Sequence, residues 1–127
     1  MQPLHLLWFW IAGGVGLLAM ALYLGLAPAG ALPVTGVGDR VEHAGYFLLL
    51  TFWFSGIASA RFRFPLAVSL FLFGVALEWA QQATARGRVA DLGDVGANSI
   101  GIALGLALAS AGLGDWMRWV EARLLSR

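Results

Sequence analysis

Residues 6–26 read LLWFWIAGGVGLLAMALYLGL, 21 residues from Leu6 to Leu26 without a charged side chain. An α-helix rises about 1.5 Å per residue, so a run of this length crosses a hydrocarbon core of roughly 30 Å. No polar stripe recurs at the helical period, so neither face of this segment is suited to water. Three further apolar stretches follow the same logic. Ala44 to Ala60 is 17 residues and Val95 to Gly114 is 20. Phe64 to Leu77 is only 14, stopping at Glu78, but it reaches spanning length when carried through to Ala85. The pattern predicts an all-α, polytopic membrane protein: a bundle of four transmembrane helices at about 4–26, 44–60, 64–85 and 92–113, in one domain over 1–127.

Composition agrees with this class. Of the 127 residues, 60% are hydrophobic and 12% charged, about half the charge a soluble domain of this size usually carries. The high hydrophobicity also excludes a long disordered chain. A net charge of +1 gives no electrostatic reason to expect a nucleic-acid partner. With no cysteine, disulfides, zinc-thiolate centres and thiol catalysis are excluded. The basic residues are all arginine, and with the Ala/Gly/Leu-rich composition this suggests a bacterial source. Ala29-Gly30-Ala31 looks like a signal-peptidase site, but no Lys or Arg precedes the first run, so a retained helix is expected.

The connections are short. Residues 27–38 hold Pro28, Pro33 and three glycines and read as an irregular loop. Arg61-Phe62-Arg63 with Pro65 reads as a tight turn into the third helix. Residues 81–90 form the third loop. Residues 115–127 set Trp116, Trp119, Val120 and Leu124 against Arg118, Glu121, Arg123 and Arg127, the pattern of an amphipathic interfacial helix. With four spans, Arg61, Arg63, Arg118, Arg123 and Arg127 share one side, and Arg40, Arg86 and Arg88 the other. The excess of arginines places both termini in the cytoplasm.

That topology brings distant polar residues to one outward-facing end. Asp39 and His43 start helix two, Glu78 and Gln81 end helix three, and Arg88, Asp91, Asp94 and Asn98 lead into helix four. Asp39 and His43 are four apart, so they neighbour on one helical face. Asp91, Asp94, Asn98, Gly101 and Gly105 fall within an arc of about 80° at 100° per residue. Gly101 and Gly105 form a small-xxx-small step that lets another backbone approach closely, predicting packing against helices two and three. Glu78 lies ~21 Å along its helix, at membrane depth, where an acid must be paired, neutralised or wetted. Its candidate partners are His43, Arg88 and Gln81.

At these residues the chain resembles a known family. Asp39-Arg40-Val41-Glu42-His43 with Tyr46-Phe47, then Glu78-Trp79-Ala80-Gln81, then Arg88-Val89-Ala90-Asp91 with Asp94, Asn98, Gly101 and Gly105, resemble successive motifs of the VanZ-like family. The likeness covers about residues 39 to 105. One departure is Arg40 where that family usually has Lys, which keeps the charge but exchanges a point charge for a planar fork. The resemblance implies a small bacterial inner-membrane protein with an envelope role, teicoplanin being the glycopeptide to which the family's name-giver is linked through low-level resistance.

Two functional readings stay open. In the first, a non-enzymatic protein uses Asp39, Arg40, His43, Glu78, Gln81, Arg88, Asp91, Asp94 and Asn98 to bind a lipid headgroup, a lipid-linked cell-wall precursor or a glycopeptide, or to alter its access. In the second, a small membrane hydrolase or transferase uses His43 as base, Glu78, Asp91 or Asp94 as acid, and Arg88 as phosphate clamp. Each residue also has a structural alternative: Glu78 as a registry ion pair, His43 as an interfacial histidine bonded to Asp39 or Glu78, Asp91 and Asp94 as caps of helix four, and Asn98 as an interhelical hydrogen-bond group. His43, Glu78, Asp91 and Asp94 could hold a divalent ion, but no dedicated metal, phosphate-loop or nucleophile-elbow motif is present, so neither metal nor cofactor is expected.

Overall fold

The computed structural model describes residues 3–28, 30, 36–84 and 91–127. Among them the protein is all-α, with no strand: α1 (Leu7–Leu26), α2 (Asp39–Ile57), α3 (Arg63–Thr84), α4 (Leu92–Ser110) and α5 (Trp116–Leu125), with short 3-10 turns at Ala60–Phe62 and Leu113–Asp115. Helix α2 begins five residues before the run beginning at residue 44, as read from the sequence. Gly38 is its extended N-cap residue, and Asp39 and Glu42 lie in the first turn, where negative charge favours the helix N-terminus. The apolar run marks where the helix becomes lipid-compatible, not where it starts. Helix α4 ends at Ser110, short of residue 113. There Gly112 takes φ 106°, a left-handed conformation that a side chain disfavours, and the chain turns into α5.

Alternating directions follow from the contacts. Trp53 on α2 reaches Trp10 on α1, and Tyr46 reaches Leu17, so these two helices are antiparallel. Helices α2 and α4 run together, with Arg40 beside Asp91 at one end and Ala44 against Gly101 further along. A methyl group built on Gly101 would collide with the backbone carbonyl of Ala44, and one on Gly105 would lie 2.8 Å from Thr51 Cβ. The glycine step therefore packs against α2. Helix α3 meets the same stripe further out, where Asn98 Nδ2 lies 3.0 Å from the place a Cβ on Gly74 would occupy. The buried centre is Ala21, Phe47, Leu50, Ala67, Leu70 and Ile102.

Most of the remaining apolar surface is not covered by protein. Three helical segments among the described residues are long and apolar enough to cross a membrane: Leu7–Leu26, Ala60–Thr84 and Leu92–Ser110, with only 22%, 22% and 33% of their most apolar windows buried. Helix α2 falls outside that group because Asp39, Arg40 and Glu42 occupy its first turn. Trp8, Phe64 and Trp79 are among the large side chains left exposed.

One end of the bundle is closed by α5. Glu121 is buried and accepts the backbone N–H groups of His5 and Leu6 and the indole N–H of Trp10. Burial pushes its carboxyl up, but these three donors outweigh that and hold it below the ordinary glutamate range. Arg63, read from the sequence as part of a tight turn, is the buried first residue of α3, donating to the Ala109 carbonyl at the end of α4 and facing Asp115. Arg118 donates to the Gly56 carbonyl near the end of α2 and to Asp115. Cations at helix C-termini and an anion at a helix N-terminus satisfy orphan backbone groups while opposing the helix dipoles. In this end, charge serves architecture.

Candidate functional site

The opposite end gathers the polar residues. Asp91 has extended backbone (φ −126°, ψ 121°), and its Oδ1 accepts the Gly93 N–H at 2.7 Å, capping α4. That bond, with the Arg40 guanidinium 3.4 Å away, holds the Asp91 carboxyl below the usual aspartate range. Arg40 lies over Gly93, where any side chain would displace it. Both members of this ion pair are well exposed, so its own contribution is small.

With Asp91 occupied as the cap, Asp94 in the first turn of α4 faces inward. His43 Nε2 lies 3.7 Å from Asp94 Oδ2. Its Nδ1 lies 2.9 Å from Asn98 Oδ1 and 3.9 Å from Glu78 Oε1. The imidazole thus sits among three helices. Its position on α2 follows from the glycine step: because α4 can close against Ala44, the residue next to His43, Asn98 is brought within bonding reach of the ring. Asn98 is buried at 2% exposure, which favours a single orientation of the pair.

Glu78 is equally buried at 2%, and its Oε2 accepts the backbone N–H of Asp91 at 3.3 Å. The acid inferred to face the bundle interior does so. Gln81, one turn on, is also buried, but it turns to α1 and donates to the Gly25 carbonyl at 2.7 Å. It ties α3 to the end of α1 instead of reaching Glu78. Asp39 is exposed at the start of α2, and His43 takes Asn98, not Asp39, as its hydrogen-bond partner. Arg88 lies outside the described residues, as does Arg86.

The structure therefore brings together His43, Glu78, Asp94 and Asn98, with Asp91 and Arg40 at the rim. An imidazole between two carboxylates can accept a proton, pass one between acids, or share a cation with them. The polar contacts missed by sequence reasoning lie mainly at the other end: Glu121, Arg63 and Asp115.

No family model, no curated protein and no solved structure matches this chain.

Proposed function

We propose that this is an integral membrane protein of four spans, α1 to α4, with α5 lying at the interface, and that its polar end binds a charged component of the cell envelope. The support for the membrane reading is the apolar, largely uncovered surface of the long helices. Water does not tolerate such a surface on a monomer, and lipid does. Helix α2 is the fourth span in this reading because its direction alternates with α1 and its 19 residues match the 19 of α4 beside it. The arginine distribution orients both termini to the cytoplasm of a bacterial inner membrane and the polar end outward.

The single observation that carries the binding function is the convergence of His43, Glu78, Asp94 and Asn98 from three helices into one half-buried cluster. Ionisable groups at such depth require a use or a partner. The resemblance of residues 39–105 to the VanZ-like pattern makes the ligand a lipid-linked cell-wall precursor or a glycopeptide, with Arg88 offering a bidentate contact to a phosphate or carboxylate. A change in teicoplanin susceptibility is the corresponding phenotype.

The position of His43 Nε2 beside Asp94 favours one further reading, a small hydrolase or transferase acting on a lipid-linked substrate with that imidazole as base. Purified protein should retain a lipid-linked precursor or teicoplanin above an unrelated membrane protein, and His43→Ala and Asp94→Asn should abolish the difference. Turnover of the precursor would select the enzymatic reading, and no retention by wild type would remove both. Reporter fusions after Gly38 and Gly87 should report the same side, opposite to fusions after Ala60 and Arg127.

A further inference from the structure

His43 of α2, Glu78 of α3 and Asp94 of α4 each offer one donor atom, and these atoms all lie within 4.8 Å of one another. A tetrahedral divalent ion with bonds of about 2.1 Å holds its ligands roughly 3.4 Å apart. The 3.7 Å separation of His43 Nε2 and Asp94 Oδ2 is already close to that spacing. Glu78 Oε1 lies 3.9 Å from the other ring nitrogen, Nδ1, so the Glu78 and Asp94 carboxylates must turn toward Nε2 to complete the set, over distances within 4.8 Å.

Asn98 supplies an independent reason. A metal-binding imidazole commonly donates its second ring N–H to a fixed acceptor, which sets the tautomer and aims the free lone pair. Buried Asn98 places Oδ1 2.9 Å from His43 Nδ1, so with the proton on Nδ1 the lone pair of Nε2 faces Asp94. The side-chain-free contact of Gly101 with Ala44 locks the register of α2 and α4 on which this alignment depends. The imidazole is oriented before any ligand arrives.

We infer that His43, Glu78 and Asp94 form a binding site for one first-row divalent transition-metal ion, with Asn98 positioning the imidazole. One nitrogen and two carboxylate donors suit ions from Mn2+ to Zn2+, whereas Ca2+ asks for six to eight oxygens and Mg2+ for an oxygen octahedron. The inference deepens the binding reading and rests on the same cluster being the working end. It also answers an electrostatic difficulty there. Two carboxylates repel a phosphate or carboxylate ligand, and a divalent ion with an open coordination position attracts one.

The test is calorimetric titration of full-length, chelator-stripped protein in detergent with Zn2+ and Mn2+, with Mg2+ for comparison and Co2+ absorption as a ligand-field readout. Wild type should bind one Zn2+ or Mn2+ per chain at micromolar concentration or below and ignore Mg2+. His43→Ala and Asp94→Asn should each lose at least tenfold in affinity, and His5→Ala should change nothing. Asn98→Ala should keep the stoichiometry and weaken binding about 10- to 100-fold, as loss of a group supporting a metal ligand does. Absence of transition-ion binding by wild type, or an isotherm indifferent to Asp94→Asn, overturns the inference. The two readings separate cleanly: retention of precursor or glycopeptide by a wild type that binds neither Zn2+ nor Mn2+ overturns the metal site and leaves the binding function standing. One Zn2+ per chain with no such retention, metal-loaded or stripped, does the reverse.

Discussion

The indole N–H of Trp10 donates to Oε1 of Glu121 across 2.7 Å, tying the first helix to the last. The same carboxylate accepts the N–H groups of His5 and Leu6 at 2.7 and 2.8 Å. An acid from α5 thus performs the work of an N-cap on α1, more than a hundred residues away. Glu121→Ala should lower stability by about 2 kcal/mol, the scale of hydrogen bonds to a charged acceptor. The carboxyl is held below its ordinary range in the folded protein, so its contribution is complete above the unfolded value near pH 4.3 and is lost as pH falls through the lower folded value. Thermal unfolding in detergent should be flat from neutral pH down to about pH 5, then decline, and Glu121→Gln should flatten that decline. Identical acid profiles for wild type and Glu121→Gln would refute the cap.

The closeness of α2 and α4 depends on Gly101. A Cβ there meets the Ala44 carbonyl oxygen and lies 2.9 Å from its carbon, both backbone atoms that cannot rotate away. Gly101→Ala should therefore cost about 2 kcal/mol or more by overpacking. Gly96 is the control on the same helix: nothing lies within 4 Å of a Cβ there, so Gly96→Ala should be neutral or stabilising by up to about 1 kcal/mol. Chemical or thermal unfolding of the two variants in the same detergent compares them directly. Equal effects would show that α2 and α4 do not meet through this face.

The contrast between these glycines explains what the sequence makes legible. Hydrophobic run length locates the helices to within about five residues, and alternation of direction brings His43, Glu78 and Asp94 to one end. Periodicity also aligns Asp94, Asn98 and Gly101 on one arc, and the structure uses that arc. What period cannot tell is which neighbour each face meets. Asp39 shares a face with His43 on α2, yet Asn98 from α4, held close by the glycine contact, takes the imidazole. Gln81 and Glu78 share a face of α3, yet Gln81 bonds α1 because Gly25 lies opposite it. Glu121 reads as the polar side of an amphipathic tail, and only the fold of that tail onto the start of α1 reveals it as buried. Long-range partners of charged residues are three-dimensional facts with no local signature.

At the rim, Asp91 has two roles that can be separated. It caps α4 through Gly93 at 2.7 Å and pairs with Arg40 at 3.4 Å. The cap satisfies a helix N-terminus and the ion pair is exposed, so the cap should dominate. Asp91→Ala should destabilise the protein, Asp91→Ser should recover most of the loss, and Arg40→Ala should have a smaller effect than Asp91→Ala. A double-mutant cycle on the unfolding free energy measures the coupling. An Arg40→Ala loss as large as that of Asp91→Ala would mean that the ion pair, not the cap, anchors this end.

Gln81 offers the means of separating scaffold from site. Its amide donates to the Gly25 carbonyl at 2.7 Å in a buried setting, next to Leu77, which packs against the same glycine. Gly25 lies in the last turn of α1, so this bond satisfies one of the carbonyls a helix end leaves without an internal partner. Gln81→Ala should then lower stability by about 1–2 kcal/mol, because the carbonyl stays buried after its donor is gone. Gln81→Glu should do worse, setting a carboxylate against a carbonyl oxygen where only a donor is tolerated. Neither change should move the Zn2+ or Mn2+ affinity of the folded protein, since the His43, Glu78 and Asp94 donors come from other positions. Unfolding and metal titration of the same two preparations check this. A large affinity loss with unchanged stability would put Gln81 among the ligand-binding groups.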